Sequence, residues 1–315
     1  MPSARLTWII GKTEAGLMRG LEGVELIEFD KRQGRKAHRD LASKLDGRQF
    51  DVLLNLHASW RANLVSRLIR AQRKIGFDKS RARDLQWLFS GERINSQLNP
   101  HVIDGMFGFA EKLGVMQREM RWNLPLEPAH YEFAESVMSA ENPTVLISPC
   151  SSERARNFRN WPAERYAAVA RHAAERYGAT IVLTGGNSDV EADYATQIAN
   201  DGPAGVHNLV GRTSLKELAA LIDRASVVIC PDSGPAHIAT AVGTPVIGLY
   251  ATSNPGRTGP LLSTDTTVNA YPEAVKKYLK KSVSEVRWGQ RVRHPDAMTI
   301  IATERVISRV DQLLA

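Results

Sequence analysis

The chain has 315 residues, 43% of them hydrophobic, and carries 41 Lys and Arg against 34 Asp and Glu for a formal net charge of +7. That length accommodates two domains of ordinary size. No run reaches the roughly 18 apolar residues of a membrane span, and MPSARLTWIIGK (residues 1–12) lacks the apolar core and cleavage site of a signal peptide, so a cytosolic address is expected by default.

The first half alternates short β-rich runs with helical patterns. RLTWII (Arg5 to Ile10), VELIEF (Val24 to Phe29) and DVLLNL (Asp51 to Leu56) read as strands, with KIGFD (Lys74 to Asp78) a further candidate. Between them, RKAHRDLASKL and RANLVSRLIRA read as helices, the second with Leu64, Leu68 and Ile69 on one face. Arg61, Arg67, Arg70, Arg73, Lys74, Lys79, Arg81 and Arg83 crowd this helix and the loop after it. They read either as a solvated face or as a surface for an anionic partner. Only Trp60 and Phe77 lie nearby, short of the aromatic interleaving of single-strand binders, so no nucleic acid is expected.

WNLPLEPAHYEFAESVMSAENP (Trp122 to Pro143) holds three prolines around a helical stretch and separates two alternating halves. We therefore expect a first domain over 1–128, a linker helix over 129–142 and a second domain over 143–315, the last helix being a candidate to pack back on the first domain. The second half begins afresh as strand TVLISP, helix PAERYAAVARHAAERYG, strand ATIVLTGG, helix DVEADYATQIAN, a short HNLVG segment, helix SLKELAALIDRA, strand SVVICPD, helix GPAHIATAVG and strand PVIGLY. Pro162 opens and Gly178 closes one helix, and Ser214 with Glu217 three residues on makes a capping-box pattern for another. Repeated βα alternation predicts parallel sheets. The expected fold is α/β, with two Rossmann-like doubly wound domains facing a cleft and the chemistry on the loops after Ser148, Thr184, Asp232 and Tyr250.

Three of those loops carry polar motifs. In CPDSGPAHIATAVGTP, a buried strand turns through Asp232, Ser233 and Gly234 into a helix, whose free N–H groups and positive dipole end suit a diphosphate. Asp232 or Ser233 is equally readable as a helix cap, and His237 as a structural hydrogen bonder or a phosphate donor. A hydrolase triad of Asp232, Ser233 and His237 is rejected, since the serine lacks a G-x-S-x-G elbow and three neighbours on one turn do not supply triad geometry. In SPCSSERARNFRNWPAERY, the hydroxyls of Ser151 and Ser152 precede Arg154, Arg156 and Arg159, a set suited to phosphate oxygens or simply a basic loop. In LTGGNSDVEADY, Asp189, Glu191 and Asp193 either stabilise a helix start or accept from ribose hydroxyls. The two cysteines, Cys150 and Cys230, have no partners at metal or redox spacing and read as ordinary buried thiols.

The order FRNWPAERY, LTGGNSDVE, then NLVGRTSLKELAALIDRASVVICPDSGPAHIATAVGTPVIGLYATSNPGRTGP resembles the donor-binding domain of the ADP-heptose lipopolysaccharide heptosyltransferases, glycosyltransferase family nine, which have the two-domain GT-B fold. The resemblance covers nearly the whole chain. It implies that Asp232, Ser233, Gly234 and His237 cradle the donor diphosphate and sugar, that Arg159 and the hydroxyls of Ser151 and Ser152 meet phosphate, and that Asp189, with Glu191 as the alternative, meets ribose or base. LNLHASWRANL resembles the acceptor-facing segment, which implies Arg61, with His57 as a second candidate. Family members begin with an additional strand and a Gly-Asp loop whose aspartate is thought to be the general base. This chain opens at what resembles the family's second strand, so no residue here is assigned that role and the first sheet is expected to lack a central strand.

The resemblance implies an inverting, metal-independent heptosyltransferase with no cofactor. It would use ADP-heptose and a phosphorylated lipid A or inner-core acceptor, at the cytoplasmic face of the inner membrane and held there peripherally by charge. The absence of an Asp-x-Asp element agrees with metal independence. Two other readings stand beside it: a nucleotide-sugar-binding pseudo-enzyme without the base, and a GT-B enzyme with another nucleotide-sugar donor.

Overall fold

Strands buried at every position, rather than at alternate ones, belong to parallel sheets covered on both faces, and TVLI, VVICP and VIGLY are of that kind. The computed structural model describes residues 4–139, 141–151 and 157–315. The chain divides into two compact units, the first ending at Arg121 and the second running from Trp122 to Ala315.

In the first unit, β1 (Leu6–Gly11), α1 (Lys12–Met18), β2 (Val24–Phe29), α2 (Arg35–Lys44), β3 (Phe50–Leu54), α3 (Trp60–Arg67), β4 (Ala71–Gly76), β5 (Glu92–Arg93) and α4 (Val102–Lys112) follow one another. β1 and β2 make one parallel ladder, with Leu6 opposite Val24, and β3, β4 and β5 make another. Among the described residues no ladder joins the two. They share an apolar cluster of Ile27, Phe29, Leu41, Leu45 and Ile69, against which Ile9, Phe50 and Leu53 pack. Arg48 adds a polar tie, donating to Glu25 at 2.6 and 2.9 Å and to Thr7 at 3.2 Å. The helix expected through Ala71 stops at Arg67, because Ala71 already pairs with Phe50 to begin β4.

The second unit contains α5 (Pro128–Val137), β6 (Thr144–Ile147), α6 (Ala163–Tyr177), β7 (Thr180–Leu183), α7 (Asp189–Asp201), β8 (His207–Asn208), α8 (Leu215–Arg224), β9 (Val227–Pro231), α9 (Gly234–Val242), β10 (Val246–Tyr250), α10 (Pro255–Thr258), β11 (Val268–Asn269), α11 (Tyr271–Ala274) and α12 (Thr303–Leu314). Its six strands are parallel in the order β11-β10-β9-β6-β7-β8. The chain winds from β6 out to β8, then returns to the other side of β6 to lay down β9 to β11. The reversal between β6 and β9 is the switch point at which open α/β sheets bind ligands.

Local signals place several helix ends. Gly178 closes α6 in the left-handed conformation, at φ 62°. Ser214 and Glu217 close a reciprocal capping box on α8, at 3.2 and 2.7 Å. The stretch expected as a linker helix, α5, lays Ala134 against Leu146, Ala220 and Leu221 of the second unit's core. The last helix, weighed above as packing back on the first domain, buries Val306 and Val310 in that same unit. No helix of the described residues is long and apolar enough to cross a membrane.

Asp311 of α12 accepts from Tyr177 at 2.8 Å and lies 2.6 Å from His172 Nε2, both on α6. The His172 hydrogen bond, followed by that of Tyr177, holds its carboxyl below the ordinary value. A carboxyl depressed in the folded state contributes stability above its unfolded pKa and loses it as pH falls through the folded value. Asp311→Asn is therefore expected to lower the thermal midpoint near about pH 7 and to converge on the parent protein toward about pH 3. A deficit of equal size across that range would show that the bond is not linked to the charge.

Candidate functional site

The loops leaving β6 and β9 flank the switch point. Ser148 N donates to Ile229 O at 3.0 Å, which joins the two strand ends, and the Ser148 and Thr184 hydroxyls meet at 2.5 Å to join β6 to β7. The start of each loop is thereby placed by the sheet itself.

At the end of β9, Ser233 occupies the capping position of α9 with an extended backbone, yet makes no side-chain cap. Its hydroxyl donates backward to Pro231 O at 3.1 Å. The first-turn N–H groups of α9 are thus left to partners other than this side chain, at the positive end of the helix dipole. Gly234 is the first helical residue and Pro235 the second, where a missing N–H costs nothing. A Cβ built on Gly234 would meet nothing within 4 Å, so the backbone there faces open space. This is the local chemistry of an anion seat.

Asp232 precedes that turn and is buried. Arg159 Nη1 donates to the Asp232 carbonyl at 2.6 Å and lies 3.6 Å from Asp232 Oδ2, with the two side chains only 12% and 8% exposed. The pairing neutralises an acid that would otherwise repel phosphate beside α9. Oδ2 itself has no hydrogen-bond donor among the described residues, so the carboxylate keeps accepting capacity.

Arg159 is aimed by Asn157, and Asn160 braces the same loop through Ser151. Asn157 Oδ1 accepts from Arg159 Nε at 2.9 Å while its amide donates to Ser151 Oγ at 2.6 Å. Asn160 Oδ1 accepts from Ser151 N at 3.0 Å and from Ser151 Oγ at 3.3 Å. Ser151 is therefore an organiser of the loop as well as a candidate ligand. Ser152, with Arg154 and Arg156, lies outside the described residues. Asn157 and Asn160 escape a reading that weighs only hydroxyls and cations. Their signal is the N-F-R-N spacing, in which amides on either side of the arginine can both donate and accept. Trp161, buried edge-on to Tyr166, donates to Ile301 O at 3.0 Å and anchors the end of the loop.

On the third loop the two acidic candidates part company. Glu191 accepts from Gly186 N and from Ser188 Oγ, both at 2.7 Å, while Ser188 caps α7 by accepting from Glu191 N. A Cβ on Gly186 would lie 2.9 Å from Glu191 Oε2, so the carboxylate approaches as closely as it does because residue 186 is glycine. Asp189, the first residue of α7, is exposed and makes no hydrogen bond or ion pair among the described residues. Burial, with Glu191 nearby, pushes the Cys150 thiol up to about 12, and burial pushes Cys230 up to about 12, so neither is a thiolate near neutrality.

His237 is exposed on the fourth residue of α9. In the first unit, His57 is exposed after β3 and Arg61 is exposed in the first turn of α3, which Ser59 caps by accepting from Ala62 N at 3.3 Å. The structure thus gathers Ser151, Arg159, Asp232, Ser233 and Gly234 about the β6–β9 reversal, with Asp189 and Glu191 in the first turn of α7, which follows the loop after β7. Among the described residues no three His, Cys, Asp or Glu side chains converge as a metal ligand set.

Residues 38–288 match the model of glycosyltransferase family 9 (heptosyltransferase). The lipopolysaccharide core heptosyltransferase OpsX of Haemophilus influenzae is 39% identical over 312 residues, covering 99% of this chain and 89% of the relative. Among solved structures, a family 9 glycosyl transferase from Veillonella parvula superposes with a TM-score of 0.80 at 22% identity, covering 99% of this chain and 89% of that one. The E. coli heptosyltransferase WaaC with ADP superposes with a TM-score of 0.68 at 20% identity, covering 89% and 91%. The fold is accordingly α/β of the GT-B type.

The different bonding of the two acids on the third loop can be measured. Glu191→Ala removes the clasp on Gly186 and Ser188 and is expected to cost about 1 kcal/mol of stability, the ordinary value of a helix cap. Asp189→Ala should leave the unfolding midpoint within about 0.5 kcal/mol of the parent. Equal losses in denaturant titrations would mean that Asp189 too is bonded within the fold.

Proposed function

The chain belongs to glycosyltransferase family 9 and is a heptosyltransferase of the lipopolysaccharide core; we propose that its donor is ADP-heptose, its acceptor a phosphorylated lipid A or inner-core sugar, and its reaction inverting and metal-independent. The observation that carries the donor assignment is the convergence of Arg159 and the start of α9 on the Asp232 turn, at the switch point of the second unit's sheet.

In this reading the acceptor hydroxyl oxygen attacks the anomeric carbon from the face opposite the diphosphate. The bond to the diphosphate oxygen breaks, its electron pair leaves with ADP, and the acceptor proton passes to a base that we do not assign to a residue. Negative charge grows on the departing diphosphate, so groups that meet it more strongly in the transition state lower the barrier. The N–H groups of Gly234 and Ala236 and the dipole of α9 supply one such contribution, and Arg159 supplies a second from a side chain fixed by Asn157. His237 donates to the same oxygens. Pairing with Arg159 allows Asp232 to stand beside a diphosphate, and its unsatisfied Oδ2 is the acceptor for a heptose hydroxyl. Asp189, which no neighbour consumes, takes a ribose hydroxyl, whereas Glu191 shapes the loop. Ser151 and Ser152 complete the phosphate contacts.

Arg61 and His57 serve the acceptor in the first unit. Arg61, Lys79 and Arg83 are exposed and form no ion pair among the described residues, which supports an acceptor carrying phosphate and a charge-driven contact with an anionic leaflet.

Arg159→Met is expected to weaken ADP binding by about 10- to 100-fold in calorimetry, through loss of a charge-assisted contact and exposure of the Asp232 charge to the phosphates. Unchanged affinity would place the diphosphate elsewhere. Asp232→Asn should cost ADP-heptose more affinity than ADP, because the carboxylate is assigned to the sugar. UDP- and GDP-sugars should fail to displace ADP-heptose.

Turnover of an anomerically pure donor should give the opposite anomer by NMR, and should persist in a chelator. Retention of configuration would sink the inverting mechanism, and loss of activity reversed by added divalent cation would sink metal independence.

A further inference from the structure

Two consecutive non-glycine residues of the first unit, Asp84 at φ 51° and Leu85 at φ 58°, lie in the left-handed region. Aspartate tolerates that conformation, but for leucine it is a strained outlier that persists only where the surroundings enforce it. The enforcement here is a buried amide network. Asn63 donates to Asp84 O at 2.8 Å, Trp60 N donates to Asp84 Oδ2 at 2.9 Å, and Asn55 donates to Asn63 Oδ1 at 3.1 Å. Gln86, fully buried next to the strained pair, donates to Asn55 O and accepts from Phe77 N, both at 3.0 Å.

What this network displays is apolar. Leu85, Trp87 and Leu88, on and beside the short 3-10 turn Gln86–Leu88, are 49%, 52% and 59% exposed. Leu56 and Trp60 are exposed next to the same network, Trp60 lying edge-on to Phe89 with ring centroids 5.9 Å apart. A turn strained so as to hold a leucine in water, among four other exposed large side chains, is not explained by packing of this chain. The neighbouring cations are Arg61, Lys79 and Arg83, all exposed and without ion pairs among the described residues.

We propose that Leu85, Trp87 and Leu88 form a wedge that enters the interfacial layer of an anionic lipid bilayer, with Arg61, Lys79 and Arg83 on the headgroup phosphates. Tryptophan and leucine at one tip, with Arg83 two residues before Leu85 and Arg61 next to Trp60, match the layered chemistry of a membrane surface, where apolar and electrostatic contributions add. The same positive charge disfavours a second copy of this face as the occupant, because the cations would meet one another. This deepens the proposed membrane contact and rests on that reading. The test uses neither donor nor acceptor, so its failure would leave heptosyl transfer standing.

The full chain would be mixed with vesicles of phosphatidylglycerol and phosphatidylethanolamine, or of phosphatidylcholine alone, and its partition read by flotation. Binding to the anionic vesicles is expected, with Trp87→Ser/Leu88→Ser lowering the partition by about tenfold or more while ADP affinity stays at the parent value. Trp87→Leu should keep the binding but lose part of the fluorescence quenching by acyl-brominated lipid, the rest coming from Trp60. Leu85→Asn, tolerated in the left-handed region, should raise the unfolding midpoint and weaken vesicle binding. The proposal is overturned by failure to bind anionic vesicles, by parent-like binding of the double variant, by quenching that Trp87→Leu leaves undiminished, or by a dimer that the double variant dissolves.

Discussion

The candidate site of the second unit depends on one contact, the Arg159 guanidinium seated on the Asp232 turn. A buried carboxylate beside a helix start would repel a phosphate, and a buried guanidinium alone would carry a large desolvation cost. Together they leave a nearly neutral floor under the positive end of α9. The sheet makes the meeting possible: β6 and β9 are neighbours at Val145–Val227 through Ile147–Ile229, so loops from distant parts of the chain emerge side by side.

The surrounding loops show how internal hydrogen bonds sort polar residues that look alike in sequence. Glu191 and Asp189 are both acids in the first turn of α7, yet Glu191 is bonded to Gly186 and Ser188 whereas Asp189 is not. Ser233 sits where a cap is expected but turns its hydroxyl to Pro231, leaving the helix start uncapped by that side chain. Ser151 spends bonds on Asn157 and Asn160, and Asn157 in turn aims Arg159. Residues engaged in this way hold the site in shape, and the remaining donors and acceptors are those able to meet a substrate.

The first unit is organised differently. Its two parallel ladders are held by shared apolar side chains and by Arg48 rather than by strand pairing, and a buried group of Asn55, Asn63 and Gln86 fixes the segment that follows β3. A buried polar network of this kind specifies backbone geometry more strictly than apolar packing does. Here it holds the strained turn at Asp84 and Leu85, so conformational cost is concentrated beside exposed apolar side chains.

Much of the architecture was legible in the residues themselves. Alternating β-rich and helical runs reported parallel α/β units, because each short apolar run needs helices on both faces. Gly178, the Ser214–Glu217 box and the Asp232–Gly234 turn mark local backbone geometry that depends on a few neighbouring side chains. The ordered motifs also identified the family, since glycines, hydroxyls and cations recur at strand ends in a fixed order along the chain. What tertiary structure alone decided is set by contacts across long sequence separations. These include the placing of β9 beside β6 and the pairing of Arg159 with a residue 73 positions away. The buried amides that force a leucine into the left-handed region belong here too. None of these has a local signature, because each depends on which side chains the packed sheet brings within hydrogen-bonding distance.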